Sequence, residues 1–386
     1  MMLFNQMPME EFLRDYWQKK PCLFRQALPD FHSPLSPDEL AGLALEDEIE
    51  SRLVIEHGDT PWQLRRGPFS EDDFARLPES NWTLLVQAVD QWVPEVKVLL
   101  EEFSSLPSWR LDDIMISFAP QGGSVGPHFD QYDVFLVQVE GDRHWDIGQM
   151  CDHTTALHPD SDLKIITELA RTDGWDLNPG DVLYLPPGLA HHGVALNNCL
   201  TYSVGFRAPD AVEALQGLAQ RLDLEPDVDS LRYSDTDLGI DEPSHTITPE
   251  ALTRLRALLK RATGRDEALA DWLGAYMTQN KYDLFDWADV PDDAVELSDS
   301  ALVVKALPTR MAVYNERFYV NGRVFPLQPE DRELVKALIE DDHWSWGTLT
   351  GLTHSDSARD TLDMLILSGS LELPEEEAFA APTTQQ

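Results

Sequence analysis

Between Arg52 and Arg207 the chain is divided into short apolar runs, RLVIEHG, WTLLVQAV, IMISFA, DVFLVQVEG, DVLYLPPG and TYSVGFRA, separated by glycine and proline. Runs of this length and composition read as strands. Many short strands with Gly/Pro turns bury their apolar faces by closing into a sandwich or barrel. One helical stretch, Asp90 to Phe103, interrupts the series. Residues from about 8 to 50 read as a lead-in of short helices broken at Pro21, Pro29, Pro34 and Pro37, with MEEFLRDYW apolar at helical spacing.

After Pro209 the pattern turns helical. AVEALQGLAQRLDL and PEALTRLRALLKRA carry apolar residues three and four apart, with an acidic connector, roughly Glu225 to Ser244, between them. Amphipathic helices outside a β core need a surface to pack on, and a second copy of the chain would supply one, so a homodimer is expected. From Ala301 come the strand-like ALVVKAL, a hairpin RFYVNGRVFPL turning at Asn321-Gly322, a helix from Glu330, another near Ala358 to Leu367, and strand-like SLEL. That order resembles a winged helix. The expected division is 1–208 for the β core with its lead-in (barrel about 90–208), 209–300 for a helical dimerisation region, and 301–386 for the winged-helix-like part.

The 69 acidic and 29 basic residues leave a net charge of −40. Such a field repels phosphate backbones and attracts cationic proteins, so direct nucleic-acid binding is not expected. The acidic PEEEAF near the end points the winged helix toward a packing or protein-binding role. Three cysteines without CxxC spacing indicate neither a disulfide framework nor a thiolate metal site, which fits a reducing cytoplasm. The first residues lack the basic and apolar regions of a signal peptide, and no run is long enough to span a bilayer.

The chemistry concentrates in GGSVGPHFDQYDVFLVQVEGDRHW, where His128 and Asp130 stand two apart at the start of a strand. Residues i and i+2 project from one face, so imidazole and carboxylate point together into the barrel. A third ligand must come from elsewhere. GDVLYLPPGLAHHG offers His191, with His192 beside it, while His144, His153 and His158 read as ordinary surface or strand histidines. The pair of segments resembles the cupin superfamily: Gly122 to His128-Phe129-Asp130 forms the first motif, and Gly180, Pro186, Gly188 and His191 the second. Two His and one carboxylate leave three adjacent positions open on a non-haem Fe(II), enough for a chelating 2-oxo acid and O2. Such a co-substrate needs a cation for its distal carboxylate. Arg143, on the next strand, suits the role because its planar fork bonds a carboxylate through two donors and stays charged when buried. Asp133 reads as a capping or solvated carboxylate, and Trp62, Trp82, Trp145 and Trp175 as packing.

With WQKKPCLFRQ, GPHFDQYDVFLVQ, GDVLYLPPGLAHHG and TYSVGFRAP in place, the chain resembles the JmjC-type ribosomal oxygenases over nearly its whole length. The resemblance implies a double-stranded β-helix core, Fe(II) on His128, Asp130 and His191, and 2-oxoglutarate held by Arg143 and Ser117. It also implies a basic ribosomal protein as substrate, with arginine of large-subunit protein sixteen modified by the bacterial members and histidine by other relatives. One departure is His192, where the bacterial family usually carries an acidic residue. Two other readings stand beside this one: a non-catalytic metal or ligand sensor joined to a winged helix, and a cupin isomerase or dioxygenase needing no 2-oxo acid. The latter commonly uses three His and has no need of Arg143.

Overall fold

The computed structural model describes residues 2–57, 60–159, 161–240, 245–282, 284–285, 287 and 295–374. The chain divides into two compact units, residues 1–208 and 209–386. The first is built on strands β1 (Cys22–Phe24), β2 (Ser51–His57), β3 (Thr60–Arg66), β4 (Trp82–Val86), β5 (Leu111–Ala119), β6 (Asp133–Glu140), β7 (Arg143–Met150), β8 (Asp173–Leu177), β9 (Val182–Leu185), β10 (Leu189–Ala195) and β11 (Cys199–Phe206). A long sheet runs β1-β9-β6-β11-β5-β4-β2-β3 and a short one runs β8-β7-β10. Their pairings are antiparallel.

The two sheets face one another across a cluster of Val134, Leu136, Trp145, Ile147, Leu183 and Leu189. Alternate residues of the same long-sheet strands, Phe135, Val137, Tyr184 and Tyr202, point the other way into a second cluster. Phe12 and Trp17 of the lead-in close that outer side, 5.0 and 5.6 Å from the Tyr184 ring. Burial on both faces explains why DVFLVQV is almost continuously apolar instead of alternating. The lead-in is therefore half of a core, and β1 joins the long sheet by pairing Cys22 with Tyr184. The stretch from Asp90 to Phe103 is helical only in short turns, Val89–Gln91, Pro94–Lys97 and Val98–Phe103.

In the second unit the helices Ala211–Leu222 and Pro249–Thr263 form where their periodicity placed them, and a further helix, Asp266–Thr278, follows. Beyond them lie two three-stranded sheets and the helices Arg332–Glu340, Trp346–Gly351 and Asp356–Leu367. The hairpin of Arg317–Val320 with Arg323–Pro326 turns at Asn321-Gly322, both with positive φ (46° and 84°), as a two-residue primed turn requires. Of the acidic connector, residues 241–244 lie outside the described residues, as does PEEEAF from Glu375. Among the described residues no helix is long and apolar enough to cross a membrane.

Candidate functional site

His128 and His191 face each other in an isolated antiparallel bridge. Each backbone N–H donates to the other's carbonyl, at 3.0 and 2.8 Å, which brings the two imidazole centres to 4.3 Å. The Gly188 N–H donates to the Asp130 carbonyl at 2.7 Å, so the turn of the second motif pins the backbone of the first. His191 Nε2 lies 3.7 Å from Asp130 Oδ2. One ligand atom from each of His128, Asp130 and His191 falls within 4.8 Å of the others, and among the described residues this is the one such group of His, Cys, Asp or Glu. The sequence expectation needs one correction: His128 and Asp130 do not open a strand. They lie in an extended segment that ends before β6, and what aims them inward is the bridge to β10.

Both imidazoles are oriented for ligation. His128 Nδ1 meets the Gly126 carbonyl and His191 Nδ1 the Leu189 carbonyl, each at 2.9 Å. A ring nitrogen facing a carbonyl must carry the proton, which leaves the Nε2 lone pairs free for a metal. Burial, then the neighbouring His128, pushes the His191 imidazolium down to about 4, so the ring is neutral at pH 7. Two imidazoles and a carboxylate are the donor set that suits Fe(II) with open positions. His192 points elsewhere, its Nε2 2.9 Å from Ser124 Oγ. His144 is bonded to Asp176 and Asp146, and His153 and His158 are exposed.

Arg143 stands at the start of β7, 5% exposed, on the same inward face as Trp145 and Ile147. Its Nη1 donates to Ser117 Oγ at 3.3 Å and Thr201 Oγ1 at 3.4 Å, and its Nε has no acceptor. No carboxylate among the described residues pairs with it, and burial lowers its pKa. An unpaired buried cation is costly unless a guest anion completes it. Ser117 and Thr201 are directly paired across β5 and β11. Thr201 in turn donates to Gln138 Oε1 at 3.0 Å. Sequence reasoning missed Thr201 and Gln138, although polar side chains inside strands as apolar as TYSVGF and DVFLVQV were the available signal.

Asp133 is neither capping nor solvated. It is fully buried, accepting from Tyr184 Oη at 2.6 Å, Gln18 Nε2 at 2.9 Å and Arg110 Nη2 at 3.1 Å. Its neighbour Tyr132 is exposed near the triad. The Asp130 carboxylate, helped by partial burial of the ring, Asp113 and Asp112 and opposed by Arg52, holds the Tyr132 phenol well above its usual range. Asp113 also accepts from Gln87 Nε2 at 2.8 Å. Of the tryptophans, Trp145 is buried, while Trp62, Trp82 and Trp175 are half-buried.

A two-sheet barrel with two imidazoles and a carboxylate at one end of its interior is the architecture of a JmjC-type oxygenase, and residues 98–214 match the JmjC domain family. Residues 255–372 match the ROXA-like winged helix. A ribosomal protein uL16 3-hydroxylase of Escherichia coli is 39% identical over 81% of this chain and 84% of its own length. A probable ribosomal oxygenase of Haemophilus influenzae is 33% identical over 92% of each chain. A solved structure of an Escherichia coli ribosomal oxygenase in complex with cobalt and 2-oxoglutarate superposes with a TM-score of 0.79 at 33% identity, covering 96% of this chain and 99% of that one. The chain belongs to the JmjC ribosomal oxygenases.

Proposed function

We propose that this chain hydroxylates an arginine side chain of a large-subunit ribosomal protein of the uL16 type, using Fe(II) on His128, Asp130 and His191, with 2-oxoglutarate and O2. The observation that carries the co-substrate is Arg143, a buried cation without a counter-ion in the same barrel as the triad. Ser117 and Thr201 complete its cradle, so the distal carboxylate would meet one guanidinium and two hydroxyls. When bound, the iron and 2-oxo acid supply the oxidising power that breaks an unactivated C–H bond. The protein's part is to orient. The bridge between His128 and His191 fixes two donors, Gly188 fixes the third, and the aliphatic cluster around Trp145 keeps that end of the barrel dry.

The choice of arginine over histidine is supported by Tyr132, an exposed aromatic ring near the triad with Asp113 and Asp112 in electrostatic reach, opposed by Arg52. Such a place favours a permanently cationic planar group. The −40 net charge supports a basic partner, drawn in at a rate that falls with salt. Leu252, Leu255 and Leu259, exposed on a helix that buries none of its residues, support a homodimer through this helical region. A ribosomal substrate is consistent with action in the cytoplasm.

The test is anaerobic loading with Fe(II), then 2-oxoglutarate, O2 and uL16 or its arginine-containing peptides, read by mass spectrometry. Addition of one oxygen atom to an arginine is expected. Oxygen on a histidine instead would overturn the arginine assignment, and no oxygen addition to any basic ribosomal peptide would overturn the substrate class.

A further inference from the structure

Trp145 is a neighbour of both ends of the proposed co-substrate site, Arg143 and His191. It lies two residues after Arg143 on β7, so both side chains project inward, and both are 5% exposed. The guanidinium carbon of Arg143 is 5.6 Å from the centre of the indole, and the centre of the His191 ring is 5.7 Å from it. One aromatic ring therefore touches the cation meant for the distal carboxylate and a histidine meant for the metal.

Two further observations bear on this indole. Directly opposite it on β10 stands Gly193, where an added Cβ would fall 2.7 Å from the ring. The short sheet thus gives up a side chain to keep the indole where it is. The Trp145 Nε1–H is buried without an acceptor, as are those of Trp62, Trp92 and Trp344, but only at Trp145 does a second unanswered donor, Arg143 Nε, stand two residues away on the same strand face. The residues clustered around Trp145, namely Val134, Leu136, Ile147, Leu183, Leu185 and Leu189, are aliphatic and offer no side-chain acceptor. A buried indole N–H left unpaired costs free energy, which an oxygen of a bound ligand would recover. Two unanswered donors on one strand face, next to a cation without a counter-ion, are complementary to the oxygens of a single bound dianion.

We propose that Trp145 is a positioning residue for the 2-oxo acid, its indole N–H donating to an oxygen of the bound ligand while its ring sets the separation between the His191 and Arg143 ends. The proposal rests on the 2-oxoglutarate reading above, and its test separates the two. Fe(II)-loaded protein is titrated with 2-oxoglutarate under anaerobic conditions, and binding is followed by the visible charge-transfer band of an Fe(II)-chelated 2-oxo acid, with no turnover involved. Wild type is expected to develop the band. Trp145→Phe is expected to weaken 2-oxoglutarate binding about fivefold, the effect of one lost hydrogen bond, and to shift the band maximum. Replacement of Trp145 by benzothienylalanine, which keeps the indole's shape and lacks its N–H, should reproduce both effects and serves if the phenylalanine variant does not fold. A band and an affinity unchanged in either variant would overturn the proposal, even if thermal stability falls, because packing would then be the whole role. No band in wild type would overturn the 2-oxoglutarate reading itself, and the proposal with it.

Discussion

Arg110 and Arg143 are both taken out of water by the same barrel, one on the outside of its long sheet and one within it, and the fold completes only the first. Arg110 pairs with the fully buried Asp133, donates through Nε to the Arg207 carbonyl at 3.1 Å and lies over the Trp17 ring at 5.3 Å. Asp133 is further held by Tyr184 and Gln18, so charge and hydrogen bonds close on themselves. Arg143 has two long hydroxyl contacts, an Nε without an acceptor and, among the described residues, no carboxylate partner. A closed buried charge ties elements together, here the lead-in to β6 and β9. An open one stores the free energy that a guest anion recovers on arrival.

That contrast can be broken at several points. The largest effect belongs to the triad inside the barrel: Asp130→Ala or His191→Ala should lower turnover by about a thousandfold or more, with circular dichroism unchanged, because ligation is lost while the backbone bridge remains. Wild-type turnover in either variant would remove the triad. Asp133→Asn should cost about 3 to 5 kcal/mol in urea unfolding, since Arg110 is left buried without its counter-ion. Equal stability would show that the network is dispensable. Arg143→Ala should do the opposite, raising the 2-oxoglutarate requirement on the order of a hundredfold by removing two charge-assisted bonds while leaving stability equal or higher. A large loss of stability would mean that Arg143 is structural after all. Thr201→Val, which removes a hydroxyl from the cradle, should raise that requirement by roughly fivefold, as measured by initial rates.

The smallest effect lies on the outer face of β7. Burial alone would lower the His144 imidazole, but its bonds to Asp176 and Asp146 outweigh burial and raise its pKa. A raised folded-state value means the stabilisation is complete below the ordinary value of about 6.5 and is lost as pH rises through the folded value. The stability difference between wild type and His144→Gln should therefore be constant in mild acid and shrink above neutrality. A difference independent of pH would rule out the charged clamp.

How much of this was legible depended on whether the signal was local. His128, Asp130 and His191 stood in motifs with fixed spacing, and Asn321-Gly322 marked its turn without help from the rest of the chain. β7 was anticipated from Arg143, but β10 was harder to read because LAHHGVA places His191 where an apolar residue would have announced a strand. Asp133 was misjudged for the same reason in reverse. A carboxylate after DQY looks solvated until Arg110 and Gln18, 23 and 115 residues away, fold against it. The helix Asp266–Thr278 was missed because its apolar positions are spread around its circumference, so no single stripe stands out.

The reciprocal bridge between His128 and His191 has one more consequence. Because main-chain bonds already hold the two rings together, the fold does not depend on the ion, unlike a zinc finger, which collapses when stripped. Loading becomes a separate, late and repeatable event. A chelator should produce an idle enzyme instead of a denatured one, and a cell short of iron could keep a stock of finished chains waiting for supply to return.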